Sequence, residues 1–440
     1  MNDPNDSNAP NAPNDLNAPN ALLVLDIEKP AAGGRMLARH HGRVVLVSGV
    51  IPGERVVARL ERARKDVAFA EAVDVLSASA DRRPVTGDAR CGGNLFAHIR
   101  YARQLQLKGE IIQDALGRIG RVAMATAPDV IGSPEQGYRT RARLHVRDGR
   151  IGFYREGTHQ LCDAAATGQF LPATAAWLGH AQEILLKTQL GGASAIEIAE
   201  SVAGDERACH LELRLGTRVE PFARLANGLV GLSAQRADRS EVVQLTGKSA
   251  VTDLVRVGDD PSQTLRVEHD VRAFFQGNRF LLEPLVRLVV GLVPPGPVLD
   301  LYAGVGLFGL ALAATGRDGV TMVEADVISA ADLQRNAVPF GGSVTVVHRG
   351  VEVFVGTAKA RDARDATLIV DPPRTGLSRE ALSGIVGVRP PRIVYVSCDV
   401  ATLARDARVF IDAGYRLDEI RGIDLFPNTA HVETVAVFAR

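Results

Sequence analysis

Apolar and polar positions follow different rhythms along this chain. From Leu22 to Ser77 short apolar runs (Leu22–Ile27, Arg43–Val50, Arg55–Leu60, Ala68–Leu76) are separated by Gly33-Gly34, Gly42 and Pro52-Gly53. Short runs bounded by Gly and Pro read as strands and turns. Four or five strands in this space predict a small closed β-barrel over residues 22–78, since closure removes the sheet's edges. Ahead of it, residues 1–21 repeat asparagine at every third position with interspersed prolines, which cannot bury a core and predict a disordered tail. Residues 79–266 mix rhythms. Tyr101–Leu116 and Ala175–Gln189 read as helices, and Arg141–Val146 with Ile151–Tyr154 as a hairpin around Asp148-Gly149. Ile196–Val202 and Leu211–Leu215 read as strands. The expectation is an α+β domain whose topology the pattern does not give.

Over 267–440 strands and helices alternate. The strand-like runs are Pro297–Tyr302, Gly319–Glu324, Ser343–Val347, Thr367–Val370, Arg392–Ser397 and Val432–Phe438. Between them lie the helical patterns Leu307–Ala314, Val327–Ala337, Arg379–Val386 and Ala401–Ala413. Repeated βα units predict an α/β domain with a parallel, doubly wound, Rossmann-like sheet. Ligands bind such sheets beyond the carboxyl ends of the strands.

Composition adds the class of partner. The chain is 46% hydrophobic and 23% charged, as in ordinary globular proteins, and no apolar run is long enough to span a membrane. Its zero net charge hides an asymmetry. Gly34–Lys65 carries eight Arg/Lys against two Glu, and residues 81–150 carry thirteen basic against seven acidic side chains. Basic segments gathered in one part of a neutral chain steer polyanions, and a small basic barrel is a common nucleic-acid platform. The four cysteines, Cys91, Cys162, Cys209 and Cys398, are far apart and form no CxxC pair, so neither a disulfide framework nor a zinc site is expected, and a reducing cytoplasm fits.

Five motifs carry chemistry, each at a strand end or at the entrance to the last domain. Asp300-Leu-Tyr-Ala-Gly-Val-Gly-Leu-Phe308 runs from strand to helix, where Gly304 and Gly306 allow a tight turn beside free helix N–H groups. Glu324, ending the next strand, is placed to hold ribose hydroxyls, and the missing third glycine favours a nucleoside such as S-adenosylmethionine over a dinucleotide. Asp371-Pro-Pro-Arg374 ends a strand in a stiff loop, and Arg374 in its fourth position disfavours methylation of an exocyclic amine. Cys398 stands between a strand and the helix opened by Asp399, a setting that favours a thiolate, or else holds a buried structural thiol. Glu433, after Asp424-Leu-Phe-Pro-Asn-Thr-Ala-His431-Val, opens a buried strand and should have the raised pKa that suits a general base, with His431 on the other side. Phe274-Phe275-Gln276 offers aromatics to stack on a base and an amide to pair with one.

These motifs, in this order and spacing from Phe274 to Phe438, resemble the RNA uracil-5-methyltransferase family, and Gly34–Ser77 with Pro52-Gly53-Glu54 is similar to the TRAM barrel of many members. The resemblance implies a class I methyltransferase domain over 267–440 and a TRAM/OB-like RNA-binding barrel. It implies Cys398 as nucleophile and Glu433 as base, with Gln276, Tyr302, Glu324 and Asp371 binding S-adenosylmethionine or lining the site. Carbon 5 of uracil is a poor nucleophile until a thiolate adds at carbon 6. A base must later remove the carbon-5 proton, so the chemistry needs both groups. The uridine must also leave its stack to reach them.

The chain departs from the family pattern twice. Asp399-Val400 replaces the usual Asn-Pro after the cysteine. Many members with a barrel hold an iron–sulfur cluster on four cysteines, whereas here the stretch Arg83–Asn94 keeps Cys91 alone, Asn94 and Thr167 stand at or near ligand places, and Cys162 is five residues off. No cluster is expected. The expectation is a monomeric, cytoplasmic enzyme that forms 5-methyluridine in RNA, ribosomal before transfer RNA, with no membrane partner. The alternatives are a methyltransferase acting on another base atom and an RNA-binding or RNA-folding protein with a vestigial pocket.

Overall fold

The computed structural model describes residues 20–31 and 33–440, so the expected tail lies, save for Asn20 and Ala21, outside the described residues. The chain divides into two compact units at Pro84/Val85.

The first unit is a closed five-stranded barrel of β1 (Leu22–Pro30), β2 (Met36–His40), β3 (Arg43–Ser48), β4 (Arg55–Ala63) and β5 (Val67–Ser77), in the order β1-β2-β3-β5-β4 with β4 closing on β1. Its interior alternates large and small, with Leu23, Leu25 and Ile27 against Ala38, Ala58, Ala68 and Ala70, all buried. Small residues at facing positions let so few strands close without a void. Buried Glu54, in the Pro52-Gly53-Glu54 turn, accepts from the Ile51 and Ser79 N–H groups and from Arg82, tying the barrel's exit to its middle. Arg35 and Arg62 lie over the Phe69 ring on the outside.

The second unit begins with α1 (Tyr101–Ala115) and the short β6 (Val130–Ile131). Next come β7 (Arg141–Arg147), β8 (Arg150–Tyr154), β9 (Leu161–Asp163), α2 (Pro172–Lys187), β10 (Ala193–Glu200), β11 (Arg207–Leu213), β12 (Gly231–Arg236) and β13 (Val242–Gly247). These strands make one seven-stranded sheet, β13-β12-β11-β10-β7-β8-β9, with Trp177, Leu178 and Leu185 of α2 packed on Leu144, Ile196 and Leu211. A hairpin, β14 (Ala250–Arg256) and β15 (Thr264–Asp270), and α3 (Leu282–Leu292) lead into the last sheet.

That sheet takes β16 (Val298–Leu301), β17 (Val320–Glu324), β18 (Val344–His348), β19 (Thr367–Val370), β20 (Arg392–Ser397), β21 (Arg416–Ile423) and β22 (Glu433–Ala439). Helices α4 (Leu307–Ala314), α5 (Val327–Ala337), α6 (Val351–Phe354), α7 (Ala358–Asp362), α8 (Arg379–Val388) and α9 (Val400–Asp412) connect them. The order β18-β17-β16-β19-β20-β22-β21-β6 reverses direction at β16, the switch point where α/β sheets bind ligands.

The structure corrects the sequence reading on two points. The sheet is not wholly parallel, because β22 runs antiparallel to both β20 and β21. Only a short loop joins β21 to β22, too little chain for a parallel crossover. The cysteines are not all unpaired, because Cys91 and Cys162 form a disulfide. Their 71-residue separation hid the pairing, which a bridge between Cys91 and Arg155 and the β8–β9 ladder (Phe153 opposite Cys162) brings about.

Candidate active site

The carboxyl ends of β16, β17, β19 and β20 gather the sequence motifs around one place. In the antiparallel β20–β22 ladder Ser397 is opposite Thr434, so continuing the register by one residue sets Cys398 against Glu433. The two belong to elements that local pattern could not pair. Asp399 caps α9, its carboxylate accepting from the Thr402 N–H at 2.9 Å, and leaves Cys398 half-buried at the strand end.

The electrostatics differ from the favoured thiolate expected there. Burial, and then the carboxylates of Glu433 and Asp371, push the Cys398 thiol up to about 11, against the positive charge of Arg374. Burial first, and two neighbouring acids after it, thus set the thiol against ionisation. Glu433, only 4% exposed, is raised well above the ordinary carboxylate range by burial and by Asp371, with Arg374 opposing. Burial lifts Asp371 to about 7. Gln276 is buried and its Nε2 donates to Asp371 Oδ2 at 3.4 Å.

The glycine-rich turn lies at the switch point. Gly304 (φ 57°) and Gly306 (φ 97°) take left-handed backbone before α4. Asp300, fully buried, accepts from the Gly309 N–H at 2.9 Å, while its Oδ1 is buried without a partner. Glu324 accepts from the Gly304 N–H at 2.7 Å and, on its other oxygen, from the Ala325 and Asp326 N–H groups, which holds its carboxylate at the end of β17. Tyr302 is itself left-handed (φ 60°), and its hydroxyl donates to Glu352 at 3.2 Å.

The two phenylalanines of the entrance motif part company. Phe275 is buried and stacks on His269 at 4.1 Å between ring centroids, so it is unavailable to a base, while Phe274 is 66% exposed. His431 lies in the loop before β22, not on the strand. Arg374, read from sequence only as an argument against amine chemistry, sits among Cys398, Asp371 and Glu433; its place in the Asp371-Pro-Pro-Arg374 turn was the available signal. Glu352 carried no signal.

Two family descriptions match this chain: tRNA (uracil-5-)-methyltransferase over residues 358–440 and the TRAM domain over residues 23–73. A 23S rRNA (uracil(1939)-C(5))-methyltransferase from Methylococcus capsulatus is 33% identical, the match covering 94% of this chain and 96% of that protein. One of the same name from Pseudomonas putida is 32% identical over 94% and 93%. The chain belongs to the RNA uracil-C5-methyltransferase family. Among solved structures, the tRNA (uracil-54, C5)-methyltransferase of Pyrococcus abyssi, in complex with S-adenosyl-L-homocysteine, superposes with a TM-score of 0.72 at 24% identity, covering 94% of this chain and 99% of that one, a likeness of fold. As a member of this family the protein is an RNA-modifying methyltransferase with a TRAM barrel at its N-terminal side. Among the described residues no helix is long and apolar enough to cross a membrane.

Proposed function

We propose that the protein forms 5-methyluridine in RNA, with S-adenosylmethionine as methyl donor, Cys398 as nucleophile and Glu433 as base. The observation that carries this is the β20–β22 register, which sets Cys398 and Glu433 against each other beside Asp371. The cofactor fits the switch-point turn: the orphaned Asp300 Oδ1, the left-handed Gly304 and Gly306, and the carboxylate of Glu324 are what a nucleoside's close approach and ribose hydroxyls require. Gln276, which donates to Asp371, and Tyr302, which precedes the Gly304 turn, are assigned to the same site, and S-adenosylmethionine bound there supplies the methyl group.

The chain's own residues do the rest. Cys398 releases its proton to solvent, assisted by Arg374, and its sulfur bonds to carbon 6 of the uracil, moving an electron pair toward carbon 5 and the carbonyl oxygen. After carbon 5 is methylated, Glu433 removes its remaining proton, the carbon 6–sulfur bond breaks, and the thiolate is restored. Burial that keeps Glu433 from ionising freely also makes its carboxylate, once the proton has been given up to solvent, a stronger base. The named relatives act on ribosomal and transfer RNA. Ribosomal RNA is the proposed substrate, because the relatives from Pseudomonas putida and Methylococcus capsulatus, matched over nearly their full length, bear that name.

Incubating Cys398→Ala with RNA from cells lacking the protein and methyl-labelled S-adenosylmethionine tests the mechanism. Label in 5-methyluridine is expected only for wild type, and transfer by the variant at the wild-type rate would sink it.

A further inference from the structure

Helix α1 grips the loop that ends at Glu433, although 316 residues of chain separate Lys108 from Asp424. Tyr101, Gln104 and Lys108 stand at helical spacings of three and four, on one face of α1. Tyr101 Oη donates to Asp424 Oδ2 at 3.0 Å and accepts from the Ser133 N–H at 2.7 Å. Gln104 binds Asn428 twice, Nε2 donating to Oδ1 and Oε1 accepting from the N–H, both at 2.9 Å. Lys108 forms an ion pair with Asp424 and donates to the Phe426 carbonyl at 3.1 Å.

The Lys108 and Asp424 side chains have no exposure at all. Apolar residues often replace such a buried pair without loss of stability, so stability alone does not account for it. The backbone there needs selecting. Asn428 takes left-handed φ (63°), and its conformation is held by both ends of the Gln104 amide. From Asn428 only four residues, Thr429–Val432, remain before Glu433 begins β22. Two further anchors complete the hold: the Asp424 N–H on the Ile131 carbonyl, and Asn278 Nδ2 on the Leu425 carbonyl.

We infer that Tyr101, Gln104 and Lys108 are positioning residues for the base: the α1 face sets the Asp424–Asn428 loop and thereby the point at which the Glu433 carboxylate meets carbon 5. The inference rests on the reading of Glu433 as base. A misplaced base leaves thiol addition and methylation possible but stalls proton removal, so its signature is a lasting RNA–protein adduct.

The test compares full-length wild type, Glu433→Gln and the charge-free double variant Lys108→Met/Asp424→Asn. The RNA is purified from cells lacking the protein, and the donor is methyl-labelled S-adenosylmethionine. The double variant leaves no lone buried charge, so it is expected to melt close to wild type with unchanged KM for both substrates. Its kcat is expected to fall on the order of a hundredfold, with an adduct stable on a denaturing gel as in Glu433→Gln. A folded double variant with wild-type kcat and no adduct overturns the inference and leaves the mechanism standing. A drop in activity that tracks melting, without adduct, also overturns it, since that is a structural role alone. No adduct in Glu433→Gln overturns the base assignment and the inference with it. Should the double variant not fold, Tyr101→Phe removes one hydrogen bond from the same loop: adduct above wild type supports the positioning role, and none overturns it.

Discussion

Arg374, in the turn after β19, lies near enough to Cys398 at the end of β20 for its positive charge to draw the thiol's pKa down. It supplies positive charge where Asp371 and Glu433 otherwise oppose a thiolate. The sulfur's nucleophilicity is therefore set by a contest between burial, two acids and one guanidinium. With the thiol at about 11, its alkylation by iodoacetamide should keep rising with pH well beyond 9. Arg374→Met should slow alkylation at pH 8 by about tenfold, the loss of the one positive charge that favours the thiolate. A wild-type profile that levels off near the ordinary thiol value would refute the raised pKa.

Asp300 links pH to stability. Burial lifts its carboxyl to about 8, with Asp371 and Glu324 adding and the Gly309 N–H opposing. A raised folded-state pKa means the fold prefers the protonated acid. The contribution is therefore complete below about pH 4, the unfolded value, and is lost as pH rises through 8. Asp300→Asn stays neutral and escapes that loss. Its melting temperature relative to wild type should climb between pH 5 and pH 9; a constant offset would show that Asp300 does not titrate there.

The Cys91–Cys162 disulfide closes a 71-residue span. On the loop-entropy estimate, removing it costs up to about 4 kcal/mol. Dithiothreitol should lower the wild-type melting temperature and leave Cys91→Ala/Cys162→Ala unmoved. Equal melting with and without reductant would mean the bond contributes nothing in solution.

Gly306 has φ 97°, and a Cβ there would come within 2.6 Å of Leu310 and Leu333 side-chain atoms. Gly306→Ala should cost about 1–3 kcal/mol and weaken S-adenosylmethionine binding by calorimetry, because the turn must open to relieve both strain and contact. Unchanged affinity would place the cofactor elsewhere.

Most elements were legible because their signals are local. The β7–β8 hairpin around Asp148-Gly149 and the helices after β16 and β17 lie within a residue of where periodicity puts them, and four barrel runs lie within three residues of β1, β3, β4 and β5, while β2 had no run of its own. The edge strand β6, two residues long, was not, since it exists only by pairing with β21. The topology of the seven-stranded sheet escaped for the same reason, its order resting on pairings between distant segments.

Residue type and spacing alone determined the chemistry-bearing motifs, because a strand end followed by Gly-x-Gly, Asp-Pro-Pro-Arg or Ser-Cys-Asp is a short-range pattern. The tertiary structure decided how those motifs meet. It turned β22 antiparallel so that Glu433 is set against Cys398, brought Arg374 to the thiol, and joined Cys91 to Cys162. It also buried Lys108 against Asp424, a contact no local pattern could announce. Burial and charge proximity are sums over the whole fold. The protonation states of Cys398, Asp371 and Glu433 therefore became readable only once distant segments had packed around them.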